Sequence, residues 1–404
     1  MINATTSPSP EYKFWVILMI MVLAESGSIM STDLYTPSLP FLTDFFGTTP
    51  ELLKLTISFN LIAFGFAQLI YGPLSDRFGR RPVFLGSIFL FTIASIVCGF
   101  AMSINHLLIA RVFQGFFAAA QAVMVLAVFK DLFTEKEQVK AFATYGMAIA
   151  ITPAVAPILG GYIHVLLGWE FNFFLTALVG IISALLIYFL LPESTTPDPS
   201  ALKMRSILRN YWIVFSNRVF LVYAGLAGMA LGFIYTFVTA APFILITLYG
   251  VEPQHFGYYQ AVIVVAFFLG SLLATKLADL MVSIQILNLG LAIAVFGAAI
   301  VVGLIYFENL TPATLSLGYA FIAFGIGPVF AVAPTKAMSA VKHSIGSAAA
   351  AFGSLEVGFS GIIAGFVSII HDGTAGPLGL VIAFTAITAV ALGIIANRMH
   401  KYRV

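Results

Sequence analysis

Glu25 and Asp33 stand eight residues apart in the stretch AESGSIMSTDLY, 24–35, near the end of an apolar run that begins at Phe14. Two more ionisable groups interrupt apolar runs, Arg111 in RVFQGFFAAAQA and Glu356 in GSLEVGFSG. Carboxyls in such surroundings can exchange protons or recognise cations. Burial of an isolated carboxyl favours its neutral form. Glu25 is therefore expected to hold a proton at neutral pH and to release it when water arrives. A carboxylate at a bilayer centre costs on the order of 3 kcal/mol on insertion scales, against about 0.5 gained from each leucine-like residue. Two acids in one such segment need a compensating environment or a function.

The elements around these residues are set by composition. The chain has 404 residues, 60% hydrophobic and 9% charged, where a soluble protein carries about 25% charged residues. Water is not its main solvent. The 34 glycines fit the same reading, since glycine is more frequent in membrane helices than in soluble ones. One cysteine, Cys98, excludes an intramolecular disulfide and reads as a small packed residue. The polar start MINATTSPSPEYK leads into a run too long for a signal-peptide core, so no cleavage is expected. A spanning helix needs about 20 mostly apolar residues. Twelve segments qualify: 14–36, 52–73, 82–102, 106–130, 140–163, 170–191, 218–247, 255–278, 284–306, 312–334, 344–370 and 377–398. Continuous apolar runs exclude a β-barrel, whose strands alternate.

Lys and Arg orient the spans. Connections on the side of the N-terminus hold nearly all of them, while the opposite loops hold only Lys54. That asymmetry predicts cytoplasmic termini, and an even number of spans requires both on one side. The longest polar interruption, Pro192 to Trp212, falls after the sixth span. It predicts an all-α integral membrane protein of two six-helix bundles, 1–191 and 218–404, joined by a cytoplasmic link, 192–217. Faint similarity between GPLSDR (72–77) and TKLADL (275–280) supports the division. Two similar halves suit a carrier with its substrate site between them near the midplane.

GPLSDRFGRR, Gly72 to Arg81, gives a tight turn with cations kept at the cytoplasmic surface. It resembles, position for position, the G-x-L-x-D-R-x-G-R-R loop between the second and third helices of the major facilitator superfamily. The resemblance implies a conformational latch formed by Gly72, Asp76, Arg77, Gly79, Arg80 and Arg81. Asp76 would sit at the start of the eleventh helix in the outward-facing state, where the dipole favours an anion, with Arg80 and Asp131 as ion partners. RVFQGFFAAAQA resembles the superfamily's R-x-x-Q-G-x-x-x-A motif in the fourth helix. Arg111 lies about five residues, roughly 8 Å, from the outer end of its span. Asp33 lies near the same outer level. Buried opposite charges at matched depth are expected to pair, since an unpaired one costs several kcal/mol. The alternative is that Arg111 snorkels to the surface alone.

TPAVAPILGG, Thr152 to Gly161, places Pro153 and Pro157 before Gly160 and Gly161. Each proline removes a backbone hydrogen bond, and the glycines admit a neighbouring helix. The stretch resembles the antiporter signature G-x-x-x-G-P-x-x-G-G, with Ala156 where glycine is usual. Together with STDLYTPSLP, 31–40, it is similar to the bicyclomycin/chloramphenicol-resistance (Bcr/CflA) branch of drug/proton antiporters. Glu25 and Asp33 resemble the two first-helix acids of proton-coupled multidrug exporters; many Bcr/CflA relatives keep only the second.

Glu356 has no counterpart to carry over. A second proton site, a cation-recognising carboxylate and a protonated acid bonded to a neighbouring helix all remain open. Gln114, Gln121, Asn60, Tyr145, Asn172, Tyr235 and Tyr259 are candidate cavity residues, with helix packing as the alternative. His343 and His371 fall in loops without metal-ligand spacing, and no nucleotide signature occurs, so neither metal nor cofactor is expected. What the resemblance implies is a monomeric carrier in a bacterial inner membrane, exporting small apolar or cationic compounds in exchange for protons. No nucleic-acid partner and no enzymatic activity are expected. Export of a siderophore, polyamine or amino-acid derivative on the same scaffold is the alternative.

Overall fold

Inside lipid, a helix satisfies every backbone N–H and C=O within one segment, so each long apolar run should become one helix. A computed structural model describes residues 10–198, 201–341 and 345–401. It contains α1 (Pro10–Asp33), α2 (Leu39–Phe46), α3 (Pro50–Phe78), α4 (Arg80–Gly99), α5 (Ile104–Leu132), α6 (Glu135–Leu167) and α7 (Glu170–Leu190). There follow α8 (Met204–Phe215), α9 (Arg218–Pro242), α10 (Pro253–Leu277), α11 (Ser283–Tyr306), α12 (Pro312–Ser339), α13 (Ile345–Ile369) and α14 (Gly376–Lys401). Among the described residues, twelve helical stretches are long and apolar enough to cross a membrane.

Two sequence boundaries change. The first span does not stop at residue 36: α1 ends at Asp33, a 3₁₀ turn at Thr36–Ser38 follows, and α2 carries the apolar stretch on to Phe46. Pro37 and Pro40 lack backbone N–H groups, so the chain breaks there without ending the span. The link 192–217, read as polar, contains α8, a twelve-residue amphipathic helix. Its two arginines, at 205 and 209, and Lys203 just before them hid the helix behind a polar composition.

One apolar core draws on residues between Phe14 and Leu191, and another on residues between Val214 and Ala396. A third brings Tyr35, Leu53 and Trp169 together with Val238, Phe243 and Ala364, so it joins the two groups of spans. Small residues let helices approach closely across the same divide. A β-carbon at Gly65 on α3 would stand 2.8 Å from the Gly358 nitrogen on α13. One at Gly161 on α6 would collide with the Pro253 carbonyl at the start of α10, and one at Gly257 with Ile158. Without a hydrophobic drive between helices in lipid, such close packing is what holds them together.

The turn after α3 depends on Gly79 and on Glu193, a residue the sequence did not single out. Gly79 has φ +97°, a left-handed conformation that disfavours a side chain. Glu193, just past α7, accepts hydrogen bonds from the backbone nitrogens of Arg80 at 2.9 Å and Arg81 at 3.2 Å. It also accepts from those of Ser194 and Thr195. Its carboxylate thus caps the start of α4, where the helix dipole favours an anion. Nothing in PES at 192–194 marks that role, because the partners are distant in sequence.

Candidate functional site

Between the two groups of spans lies a cavity of about 970 Å³. Asp76, Arg80, Lys130, Gln138, Tyr211 and Ser347 border its mouth. Five of them lie at helix ends on the side where α1 begins and α14 ends, and Tyr211 lies in α8 on that side, so the cavity opens on the face that carries α1's start and α14's end. Glu25, Asn60, Tyr145, Tyr235 and Glu356 line it farther along their helices. A volume near the upper end of the 300–1,000 Å³ common for ligand pockets accommodates a drug-sized molecule.

Glu25 is buried on α1, and its Oε2 has no hydrogen-bond partner among the described residues. Tyr145 on α6 and Tyr235 on α9 stand within electrostatic reach of it. Glu356 approaches the same space from α13. Among the described residues it forms no hydrogen bond or ion pair, which leaves the reading of an acid bonded to a neighbouring helix without a bond to support it.

Asp33 closes α1 and is buried, but it does not border the cavity. The expected ion pair with Arg111 is not formed. Arg111 is fully buried and donates instead to the Ser31 carbonyl at 2.7 Å, to the Gln114 amide oxygen, and at 3.4 Å to Thr32 and the Thr56 carbonyl. Its guanidinium lies 4.7 Å from the centre of the Tyr35 ring, a cation–π arrangement favoured by desolvation. Asp33 remains within electrostatic reach. Four of its five N–H groups find neutral acceptors here, so the arginine neither pairs nor snorkels.

The other candidates divide. Asn60 lines the cavity and donates to the Arg111 carbonyl at 3.0 Å, while accepting from Thr32 at 3.4 Å. Gln114 lies off the cavity, held between Arg111 and the Ser95 hydroxyl at 2.8 Å. Gln121 is fully buried in α5 and likewise does not border it. Asn172 packs α7 against the Ser38 hydroxyl and the Gly160 carbonyl, both at 3.3 Å. Tyr259 packs on the apolar core of the second half. Polarity alone could not separate a cavity residue from a helix clamp, since both replace lost water with hydrogen bonds.

At the mouth, Arg80 joins Asp76 and Asp131, the latter at 3.0 Å. Asp76 is half exposed, and among the described residues it has no bond to α13. Gly72 lines the mouth with open space where a β-carbon would stand. Arg77 lies beside the Phe78 ring, and Arg81 reaches the Tyr188 carbonyl and ring. Lys342 and His343 lie outside the described residues.

The opposite end is closed. Pro153 and Pro157 sit within a continuous α6, and the Pro153 carbonyl accepts from Gln260 on α10 at 3.2 Å. Gly160 meets the Leu34 carbonyl with no room for a β-carbon. Lys54, placed by the sequence in an outer loop, is instead buried near the start of α3. Its Nζ is 2.6 Å from His371 Nδ1 and 4.7 Å from the centre of the Phe243 ring.

Twelve spans around a cavity open at one end describe a carrier, and comparison with known proteins decides which kind. Residues 21–365 match the Major Facilitator Superfamily. The chain belongs to that family. This transporter is 28% identical to the "Bicyclomycin resistance protein homolog" of Haemophilus influenzae, over 90% of each chain. It is 27% identical to the "Chloramphenicol resistance protein" of Pseudomonas aeruginosa, over 90% of this chain and 86% of that one. Those names match the branch that α6 and the stretch from α1 into α2 resemble. The fold is shared with the crystal structure of a bacterial homolog of the human lysosomal transporter Spinster, inward-facing and unoccupied. That match has a TM-score of 0.75 at 17% identity and covers 97% of this chain and 98% of the other. The transporter is a multi-pass integral membrane protein rather than an enzyme.

Proposed function

We propose that this transporter exports small apolar or cationic compounds across a bacterial inner membrane in exchange for protons, working as a monomer. The observation that carries the reading is the placement of two carboxyls, Glu25 and Glu356, in the wall of one open cavity, with a Glu25 oxygen unpartnered among the described residues. An unpaired polar group buried in a membrane protein is retained against its cost and is a functional candidate by default.

The halves 1–191 and 218–404 rock about the link 192–217, so that the cavity opens alternately to each side. With termini in the cytoplasm, the open form is inward-facing. Cargo enters beside Glu25 and Glu356 and favours proton release from the acids. Closure of the mouth and opening of the outer end expose the site to the opposite side, where Asp33 and Glu25 take up protons and cargo leaves. Proton binding weakens cargo binding, and reciprocity requires cargo to promote proton release by the same factor. Asp76 latches the halves when the mouth closes.

The test uses tetraphenylphosphonium, a lipophilic monocation, added to purified transporter in weakly buffered detergent with a pH-sensitive dye. The expected result is proton release on binding, diminished in Glu25→Gln and Asp33→Asn. Binding without proton release at every pH between 6 and 9 would reject the exchange. One observation favours the alternative of a polyamine cargo: carboxyls on opposite halves suit a cargo with two separated cationic groups. Competition of spermidine against tetraphenylphosphonium distinguishes the two.

A further inference from the structure

We infer that α8 is a docking surface for anionic phospholipids on the face of the membrane that carries the termini. The helix is short, so its membrane placement must come from its contacts. The Tyr211 hydroxyl donates to the Leu69 carbonyl of α3 at 2.7 Å, and Val214 is buried in the core of the second half. Leu69 lies nine residues before the end of α3, about 14 Å along its axis. The apolar run of that span ends at residue 73, so Leu69 is about 6 Å inside it. A tyrosine side chain of comparable reach then puts the α8 axis at the boundary between acyl chains and headgroups.

The outward surface of α8 has the chemistry of that boundary. Met204, Leu208 and Trp212 recur every fourth residue, forming one stripe, and are 65%, 60% and 74% exposed. At about 100° per residue, Arg205 and Arg209 fall beside that stripe, on the flank away from the buried Val214. Lys203 precedes them, and α8 itself contains no acidic residue. Among the described residues neither arginine has a hydrogen bond or an ion pair. Three exposed apolar side chains with an aromatic at the end suit the interfacial zone. Two free guanidiniums beside them are complementary to phosphate, which they can bind bidentately.

A zwitterionic surface would explain the stripe but not the unpaired cations; an anionic one explains both. Tyr211 also borders the cavity mouth, so a lipid-held α8 fixes one lip of that opening. This inference needs only that the protein spans a membrane; it does not depend on proton exchange or on the cargo.

The experiment places the full-length transporter in bilayers of equal parts phosphatidylglycerol and phosphatidylcholine, with brominated chains on one lipid species at a time. Trp212 emission is taken as the difference between the parent and Trp212→Phe, which cancels the other two tryptophans. The expected result is quenching at least about twofold stronger when bromine is on phosphatidylglycerol, in keeping with attraction of each surface cation to anionic lipid. Arg205→Gln with Arg209→Gln should bring the ratio to one, with the melting temperature unchanged. Equal quenching by the two lipids in the parent, an unchanged ratio in the double variant, or no quenching by either lipid would each overturn the inference. A single Arg209→Gln variant, intermediate in ratio, serves if the double variant does not fold.

Discussion

Lys54 on α3 and His371 between α13 and α14 meet at 2.6 Å, tying an early span to a late one at the end opposite the open cavity. Phe243 covers the ammonium, while Glu51 and Asp372 are the acids near enough to act on the pair. A neutral imidazole can accept from Lys54; an imidazolium cannot.

External pH should therefore bias the outer end. Burial first and the Lys54 charge next push the His371 pKa below its ordinary value, with Glu51 and Asp372 opposing. Opening to water restores that value, about 6.5. The closed outer end is thus fully supported above the ordinary value and loses support as pH falls through it. The open-to-closed ratio should rise by at most about tenfold per pH unit over that window. Spin labels at Leu52→Cys and Ile370→Cys, measured from pH 8 to 5, read the distance. The longer distance should grow at low pH in the parent and not in His371→Gln. A distribution independent of pH in the parent would count against the clamp.

Two motif glycines should respond oppositely to alanine. Gly160→Ala meets the Leu34 backbone and should destabilise this conformer by about 1–3 kcal/mol, as overpacking does, visible as a lower melting temperature. Gly72→Ala meets open space, so its melting temperature should be unchanged while turnover falls, because only the closed mouth brings a neighbour against it. Normal turnover in Gly72→Ala would remove that glycine from the latch.

Glu193→Ala should cost about 1 kcal/mol, the usual loss for an N-terminal cap, and Glu193→Gln less. Denaturation in mild detergent measures both. Equal stability of all three proteins would show that the cap contributes nothing.

Glu356→Gln should weaken tetraphenylphosphonium binding about tenfold, or 1.4 kcal/mol, and leave an uncharged cargo such as chloramphenicol unaffected. If instead the response to a pH gradient changes while affinity does not, Glu356 is a proton site.

Much of this was legible in the sequence, and the reasons differ by residue. Spans announce themselves because lipid demands some twenty apolar residues in a row, so their number followed from counting. The break at Asp33 did not, because a short turn with apolar neighbours looks the same as a longer helix. Arg111 and Asp33 are at similar depth, but depth does not specify direction around an axis, and the carbonyls of Ser31 and Thr56 won the guanidinium. Backbone acceptors leave no trace in residue identity. The helix α8 was hidden by its own amphipathicity, and Glu193 by its distance of 113 residues from Arg80.

The central claim is that buried acids trade protons for cargo, and one measurement addresses it directly. Transporter is reconstituted into sealed vesicles, and tetraphenylphosphonium accumulation is followed as a pH gradient is imposed. The account predicts uphill accumulation in the parent that collapses when the gradient is discharged. In Glu25→Gln combined with Asp33→Asn, uphill accumulation should be lost while downhill equilibration of the cation continues. Uphill accumulation that persists in the double variant and still follows the gradient would contradict the account.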